Sequence, residues 1–501
     1  MATRCVPEIR IHACNNAPVR SEGDFVLYWM IAVRRASWNF SLDRAVEWAQ
    51  RLSKPLVILE ALRADYPWAS ARIERFVAAG MWDNARSLDQ KSVVYYPYIE
   101  MFPGEGKGLL EAFASRAVVV VTDEFPCFFL PRMVAAAAGK IPALMEQVDG
   151  NGLLPMCAAD HAFPTAYAFR RFLQKRLPEH LLAPPRGNSF EEVHLPALNG
   201  LPREITTRWP KVTPQRFATL LEEKTVEDDA SESAGGSDAG QKRLRQFVSS
   251  KLVEYESSRN EPELDASSGL SPYLHFGHIS PHQIFAEVAK QQQWSPEHLA
   301  LRATGSRTGW WGMSTTAEAF LDQVVTWREL GFNMCHQRSD YDQYKSLPDW
   351  ARKTLKIHQD DRRAYNYSLP ELERAATHDP LWNAAQTQLV AEGSMQNYLR
   401  MLWGKKIIEW TSSPRKALAV MIELNNRYAL DGRDPNSYSG IFWCLGRYDR
   451  PWGPERPIFG KVRYMSSENT ARKMHVSRYV CKYQPGLQIE PKPRRARKAR
   501  P

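Results

Sequence analysis

From Phe25 to Val121 the chain alternates short apolar runs with stretches in which apolar residues recur at helical spacing. The runs are FVLYWM at 25–30, PLVILEAL at 55–62, SVVYYPYI at 92–99 and AVVVV at 117–121, and a helical pattern starts at Ser41. Short runs rich in Val, Ile and aromatics, separated by amphipathic segments, predict a parallel sheet with helices on both faces. No GxGxxG follows the first run, and GEGKG at 104–108 has the wrong spacing. A dinucleotide site of the usual kind is therefore not expected in this half.

The pattern then breaks and changes period. Residues 223–240, EKTVEDDASESAGGSDAG, are acidic, small and poor in apolar side chains. Such a stretch cannot bury enough surface to offset its ordering entropy, and it reads as a flexible linker. From Lys242 to about Val480 the period is helical, as in TTAEAFLDQVVTWRELGF, where Thr315 and Glu318 have capping-box spacing. The expected fold is thus an α/β N-terminal domain with a parallel, Rossmann-like sheet, followed by an all-α domain. The expected boundaries are 20–155 for the α/β part, 156–245 for the connection, 246–482 for the helical part and 483–501 for a basic tail.

Composition narrows the class. A chain of 501 residues is long enough for two or three domains. No apolar run approaches the roughly 18 residues of a membrane helix, and the first residues lack the apolar core of a secretory signal. The expectation is a cytoplasmic, nucleoid-associated or nuclear protein, neither secreted nor membrane-bound, with a monomer as the default. Seven scattered cysteines without a CxxC pair argue for reduced thiols and against a metal site. The formal charge of +10 draws the protein towards polyanions, although part of it sits in the tail on Lys492, Arg494, Arg495, Arg497, Lys498 and Arg500. Sixteen tryptophans stand out, since Trp is enriched where flat surfaces stack or electrons move, although core packing accounts for most of them.

Chemistry concentrates in the helical half. Ser267, Ser268, Gly269 and Ser271 form a hydroxyl-rich turn ahead of a helix that Pro272 could open. That turn reads either as an anion cradle or as a plain helix cap. Trp403 and Trp410 are seven apart, which puts them on one helix face about 10 Å apart along the axis. The stripe suits electron hopping or core packing. In chain order come SSGLSPYLHFGHIS at 267–280, WREL at 327–330, DYDQYKSLPDWARKTL at 340–355, THDPLWNAAQ at 377–386, MQNYLRMLWGKKIIEWT at 395–411, LDGRDPN at 430–436 and RPIFGKVRYM at 456–465. Together these strings resemble the photolyase and cryptochrome family, specifically the class II cyclobutane pyrimidine dimer photolyases, from about Phe25 to Val480.

The resemblance implies a light-driven lyase that repairs pyrimidine dimers in double-stranded DNA with a reduced FAD. Its flavin site would use Tyr255, the turn Ser267, Ser268, Gly269, Leu270 and Ser271, and further Arg328, Asn397 and Asp434. Arg400 and Asp431 would pair beside the flavin ring, and Asn425, with Asn436 as the fallback, would face flavin N5. Trp382, Trp403 and Trp410 would carry electrons to the flavin. Trp327 and Trp443 would wall the flipped dimer, Met401 would lie against its bases, and Arg259 would approach its carbonyls. Arg450, Trp452 and Arg463 would fill the gap in the duplex and grip its backbone. An antenna in the N-terminal domain, 8-hydroxydeazaflavin or folate, fits family habit.

The chain also departs from the family. Class II members carry a glutamate four residues before the pocket tryptophan, where this chain has Gln323 beside Asp322. An amide donates a hydrogen bond to a dimer carbonyl but cannot give it a proton. Gln323 thus favours the rival reading of a cryptochrome-like light sensor, whereas Arg259, Met401, Trp327 and Trp443 favour repair. Repair of the (6-4) photoproduct would need pocket histidines. A DNA-binding module without catalysis is the blandest alternative.

Overall fold

The computed structural model describes residues 5–222 and 234–484. Six strands, β1 (Ile11–Ala13), β2 (Phe25–Met30), β3 (Leu56–Leu62), β4 (Val94–Ile99), β5 (Ala117–Asp123) and β6 (Leu144–Val148), form one sheet in the order β1-β6-β5-β2-β3-β4. β1 runs antiparallel to β6, and every other neighbouring pair is parallel. All four apolar runs of the sequence became strands. The central pair, β2 and β5, is buried along its whole length, which is why those runs are uninterrupted. β6 was not foreseen, because LMEQV carries a glutamate. Glu146 is accommodated by Arg44 at 2.8 Å and by the Trp48 indole N–H at 2.8 Å. At the carboxyl end of β5, buried Asp123 accepts the amides of Ile31, Ala32 and Val33 at 2.8, 2.8 and 2.9 Å, fixing the turn after β2.

Residues 156–222, taken from sequence as part of the connection, hold the helices Ala166–Leu181, Arg203–Arg208 and Pro214–Glu222. Of the acidic stretch, 223–233 lies outside the described residues, and its last four residues open the helix Ser237–Gln246. That correction has a local cause. The Gly236 amide donates to buried His278 Nδ1 at 3.0 Å, and a Cβ on Gly235 would lie 2.1 Å from the Phe76 carbonyl oxygen, so the chain is pinned against the α/β half.

The helical half runs to Tyr483. Its helix Thr315–Leu321 is capped by Ser314, whose hydroxyl accepts from Ala317, and not by Thr315 as the spacing suggested. Glu318 instead accepts the amides of Gly309 and Met313 in the preceding loop. The helix then widens into a π-turn, Asp322–Trp327, before resuming as Arg328–Gln337. The two halves dock through backbone. Buried Glu329 accepts the amides of Leu153 and Leu154 at 2.7 and 3.1 Å. Gly277, at φ +71°, comes so close to the turn after β2 that a Cβ there would lie 1.9 Å from the Ala32 oxygen. No helix among the described residues is long and apolar enough to cross a membrane.

Candidate functional site

A cavity of about 1700 Å³ opens in the helical half. One end is polar. The turn Ser267–Ser271 lies there, followed by the helix Ser271–His275 with Pro272 in its first turn. Gly269 has φ +64°, and a Cβ on it would meet the Arg243 guanidinium at 2.6 Å, so only glycine lets the turn close against that arginine. Tyr255 and the exposed Asn397 also line this end.

Arg400 and Asp431 form a two-pronged pair at 3.0 and 3.2 Å on the cavity wall. Burial pushes the Asp431 carboxyl up, but Arg400 and the Ser271 hydroxyl outweigh it and hold it below the usual range. The pair therefore stays ionised. Arg400 Nε is buried with no hydrogen-bond partner among the described residues.

Three residues expected at a cofactor lie behind the wall. Arg328 stacks on Phe332, 4.3 Å from its ring centroid, and donates to the Asn151 carbonyl across the domain junction. Asp434 caps the helix Pro435–Cys444, accepting from Asn436 at 2.8 Å, and faces His275 Nδ1 at 3.4 Å. Asn425 is buried with its amide donating to Ser437 Oγ at 2.7 Å, and Ser437 and Asn436 are the residues that line the cavity there.

The other end of the cavity is aromatic and cationic. Of the six residues in the π-turn only Gln323 and Trp327 are partly exposed, and both line the cavity. The wide turn thus aims two side chains at one wall. Asp322, buried, also belongs to the cavity lining and is held by Arg170 at 2.7 Å, so the turn offers a paired carboxylate beside the Gln323 amide. Arg259, Met401 and Trp443 also line the cavity, with the Arg259 guanidinium 5.6 Å from the Tyr255 ring centroid. At the rim Arg450 and Arg463 stand 4.5 and 5.1 Å from the Trp452 ring centroid, and Arg463 is also 5.7 Å from that of Trp443. Alternating guanidinium and indole faces suit a backbone phosphate next to unstacked bases.

Beneath the cavity lies a closed row of indoles. Trp382, Trp403 and Trp410 are 0%, 2% and 1% exposed. Trp403 donates to Gln386 Oε1 at 2.8 Å, and Trp382 donates to the Trp403 carbonyl at 3.1 Å. The rings of Trp382 and Trp410 meet edge to face, with centroids 5.5 Å apart. Trp403 and Trp410 share the helix Asn397–Trp410 as their spacing predicted, but it is Trp382 from a second helix, Pro380–Glu392, that joins them. Sequence reasoning missed Gln386, which no motif marks. It also missed Lys405, whose ammonium is fully buried and stands 5.1 Å from the Trp443 centroid.

No family model matches the chain. Among named relatives it is 35% identical over 473 residues to a deoxyribodipyrimidine photo-lyase of Methanothermobacter thermautotrophicus, covering 94% of this chain and 97% of the relative. It is 31% identical to that of Arabidopsis thaliana (94% of this chain, 91% of the relative) and 32% identical to that of Potorous tridactylus (93% and 82%). Among solved structures it resembles a class III photolyase from Agrobacterium tumefaciens, with TM-score 0.64 and 18% identity over 92% of this chain and 87% of that one. It also resembles a Synechocystis cryptochrome, with TM-score 0.67 and 16% identity over 92% and 88%. The structures share its fold of a sheet followed by helices, and the relatives share its sequence almost end to end: the chain belongs to the deoxyribodipyrimidine photo-lyase family.

Proposed function

We propose that this protein is a class II photolyase that binds FAD and uses light to split cyclobutane pyrimidine dimers in double-stranded DNA. The observation that carries this reading is one cavity lined by two chemistries: a hydroxyl-rich glycine turn with the Arg400–Asp431 ion pair, and indoles rimmed by guanidinium groups. The donor set fits a flavin dinucleotide. The turn at Gly269 offers amides and hydroxyls to a diphosphate, beside the charged pair of Arg400 and Asp431. A reduced flavin held there would, once excited, lend the dimer one electron and take it back after the ring has opened.

The chain's own residues supply position and charge. Arg400 and Asp431 fix a charged pair at the polar end, and the hydrogen bond from Asn425 orients Ser437 on the wall. Trp327 and Trp443 would sandwich two flipped bases, Gln323 and Arg259 would donate to their carbonyls, and Met401 would close the floor. Arg450, Trp452 and Arg463 would hold the opened duplex. No histidine among the described residues lines the cavity, which disfavours (6-4) photoproduct repair. A light sensor would keep the tryptophan row but has no use for a complete lesion mouth. An antenna, a deazaflavin or a folate, would sit in the α/β half.

The deciding experiment illuminates the reduced protein with an oligonucleotide duplex carrying one thymine dimer and follows recovery of intact thymines. Repair in light and none in darkness is expected. Binding without turnover would turn the reading into the sensor.

A further inference from the structure

Trp443 is an electron-rich ring on the same cavity as the expected flavin, so it is a competitor to Trp403 whenever an electron is drawn into that cavity. Trp403 accepts the Trp382 indole N–H at its backbone carbonyl, and the Trp382 ring in turn meets that of Trp410. No indole contacts Trp443 in either way among the described residues. What surrounds it instead is positive charge. Lys405 Nζ stands 5.1 Å and Arg463 5.7 Å from its centroid. Lys405 is fully buried, and the hydrogen bond its ammonium makes among the described residues goes to the Cys444 carbonyl, at 2.6 Å.

We propose that Lys405, with Arg463, keeps Trp443 from giving up an electron, so that electrons drawn into the cavity come through Trp403. Removing one electron from an indole makes the ring a radical cation, and a cation held against its face opposes that step in a medium of low dielectric. Lys405 is thus a positioning residue for electron traffic, and it acts through Trp443. The inference rests on the photolyase reading for its use, but the effect on Trp443 needs neither flavin nor DNA.

The groups facing Lys405 are few. Burial pushes the Cys444 thiol up to about 11, so it is neutral; Asp449, which accepts the Trp452 indole at 2.9 Å, favours the charged ammonium, and Arg463 adds a like charge. On the same helix Lys406 stands 5.5 Å from the Trp410 centroid, but its charge is paired with Glu409 at 3.0 Å. Burial lowers Lys405 itself to about 8. Below that pH the ammonium is charged and shields Trp443; above it the shield is lost.

The test exposes the full-length protein to a water-soluble ruthenium photo-oxidant with persulfate and maps indole oxidation by peptide mass spectrometry. At neutral pH, Trp443 in Lys405→Met should oxidise roughly threefold or more faster than in the unsubstituted protein, with Lys405→Arg unchanged. In the unsubstituted protein oxidation of Trp443 should climb as pH passes about 8, and in Lys405→Arg it should stay flat. Equal oxidation of Trp443 in all forms across that range would overturn the proposal. Should Lys405→Met fail to fold, the pH comparison with Lys405→Arg decides alone. Failure of dimer repair would strike the photolyase reading and leave these rates untouched.

Discussion

The cavity and the tryptophan row beneath it are built from neighbouring turns of the same helix, yet they are opposites. Around the cavity polar groups are left open: Gln323 lines it half-buried, and Asn397 is exposed. The row is closed. Each of Trp382 and Trp403 has its indole N–H satisfied, and all three rings are enclosed. A surface that must receive a ligand leaves its donors unmet, whereas a path that must hold fixed rings closes every bond it can.

The contrast breaks most sharply at the ion pair. Asp431→Asn leaves Arg400 unpaired in a buried site, and flavin retained per protein, read from visible absorbance after desalting, should fall by roughly 100-fold. Unchanged retention would mean that the pair belongs to packing. Next in size, Trp403→Phe should slow flavin photoreduction by roughly tenfold or more while dimer repair by chemically reduced protein is spared. Equal photoreduction would reduce the row to a core stripe. Gln386→Leu strands the Trp403 indole N–H in the interior, and chemical denaturation should show a loss of about 1–3 kcal/mol with flavin content unchanged. The smallest effect belongs to the rim. Arg463→Ala should lower the slope of log affinity for duplex DNA against log salt by about 1, measured by fluorescence anisotropy, without altering bound flavin. If flavin is lost as well, rim and polar end are not separable.

How far the sequence reached depends on how local each signal is. The strands at Phe25 and Ala117 were legible because a strand buried on both faces needs an unbroken apolar run. β6 was not, because Glu146 is neutral in effect only once Arg44 and Trp48 arrive from elsewhere. The cap at Thr315 was misread by one position, since the box spacing cannot tell a glutamate that folds back from one that holds the preceding loop. In the cavity, Ser267 to Ser271, Arg400, Trp327 and Trp443 came together as the motif strings implied. Arg328 and Asp434 lie behind the wall, since motif membership does not say which way a side chain points. Lys405 could not have been singled out, because a lysine becomes unusual only through what buries it.

The π-turn at Asp322–Trp327 carries one residue more than an α-helical ladder needs. Deleting a single residue there lets the segment relax into ordinary helix while the turns on either side keep their phase. The change is then confined to the stretch of wall that Gln323 and Trp327 form. A protein built this way can reshape the mouth that meets its lesion by a change of one residue in length, and leave the helices that hold the two halves together where they are.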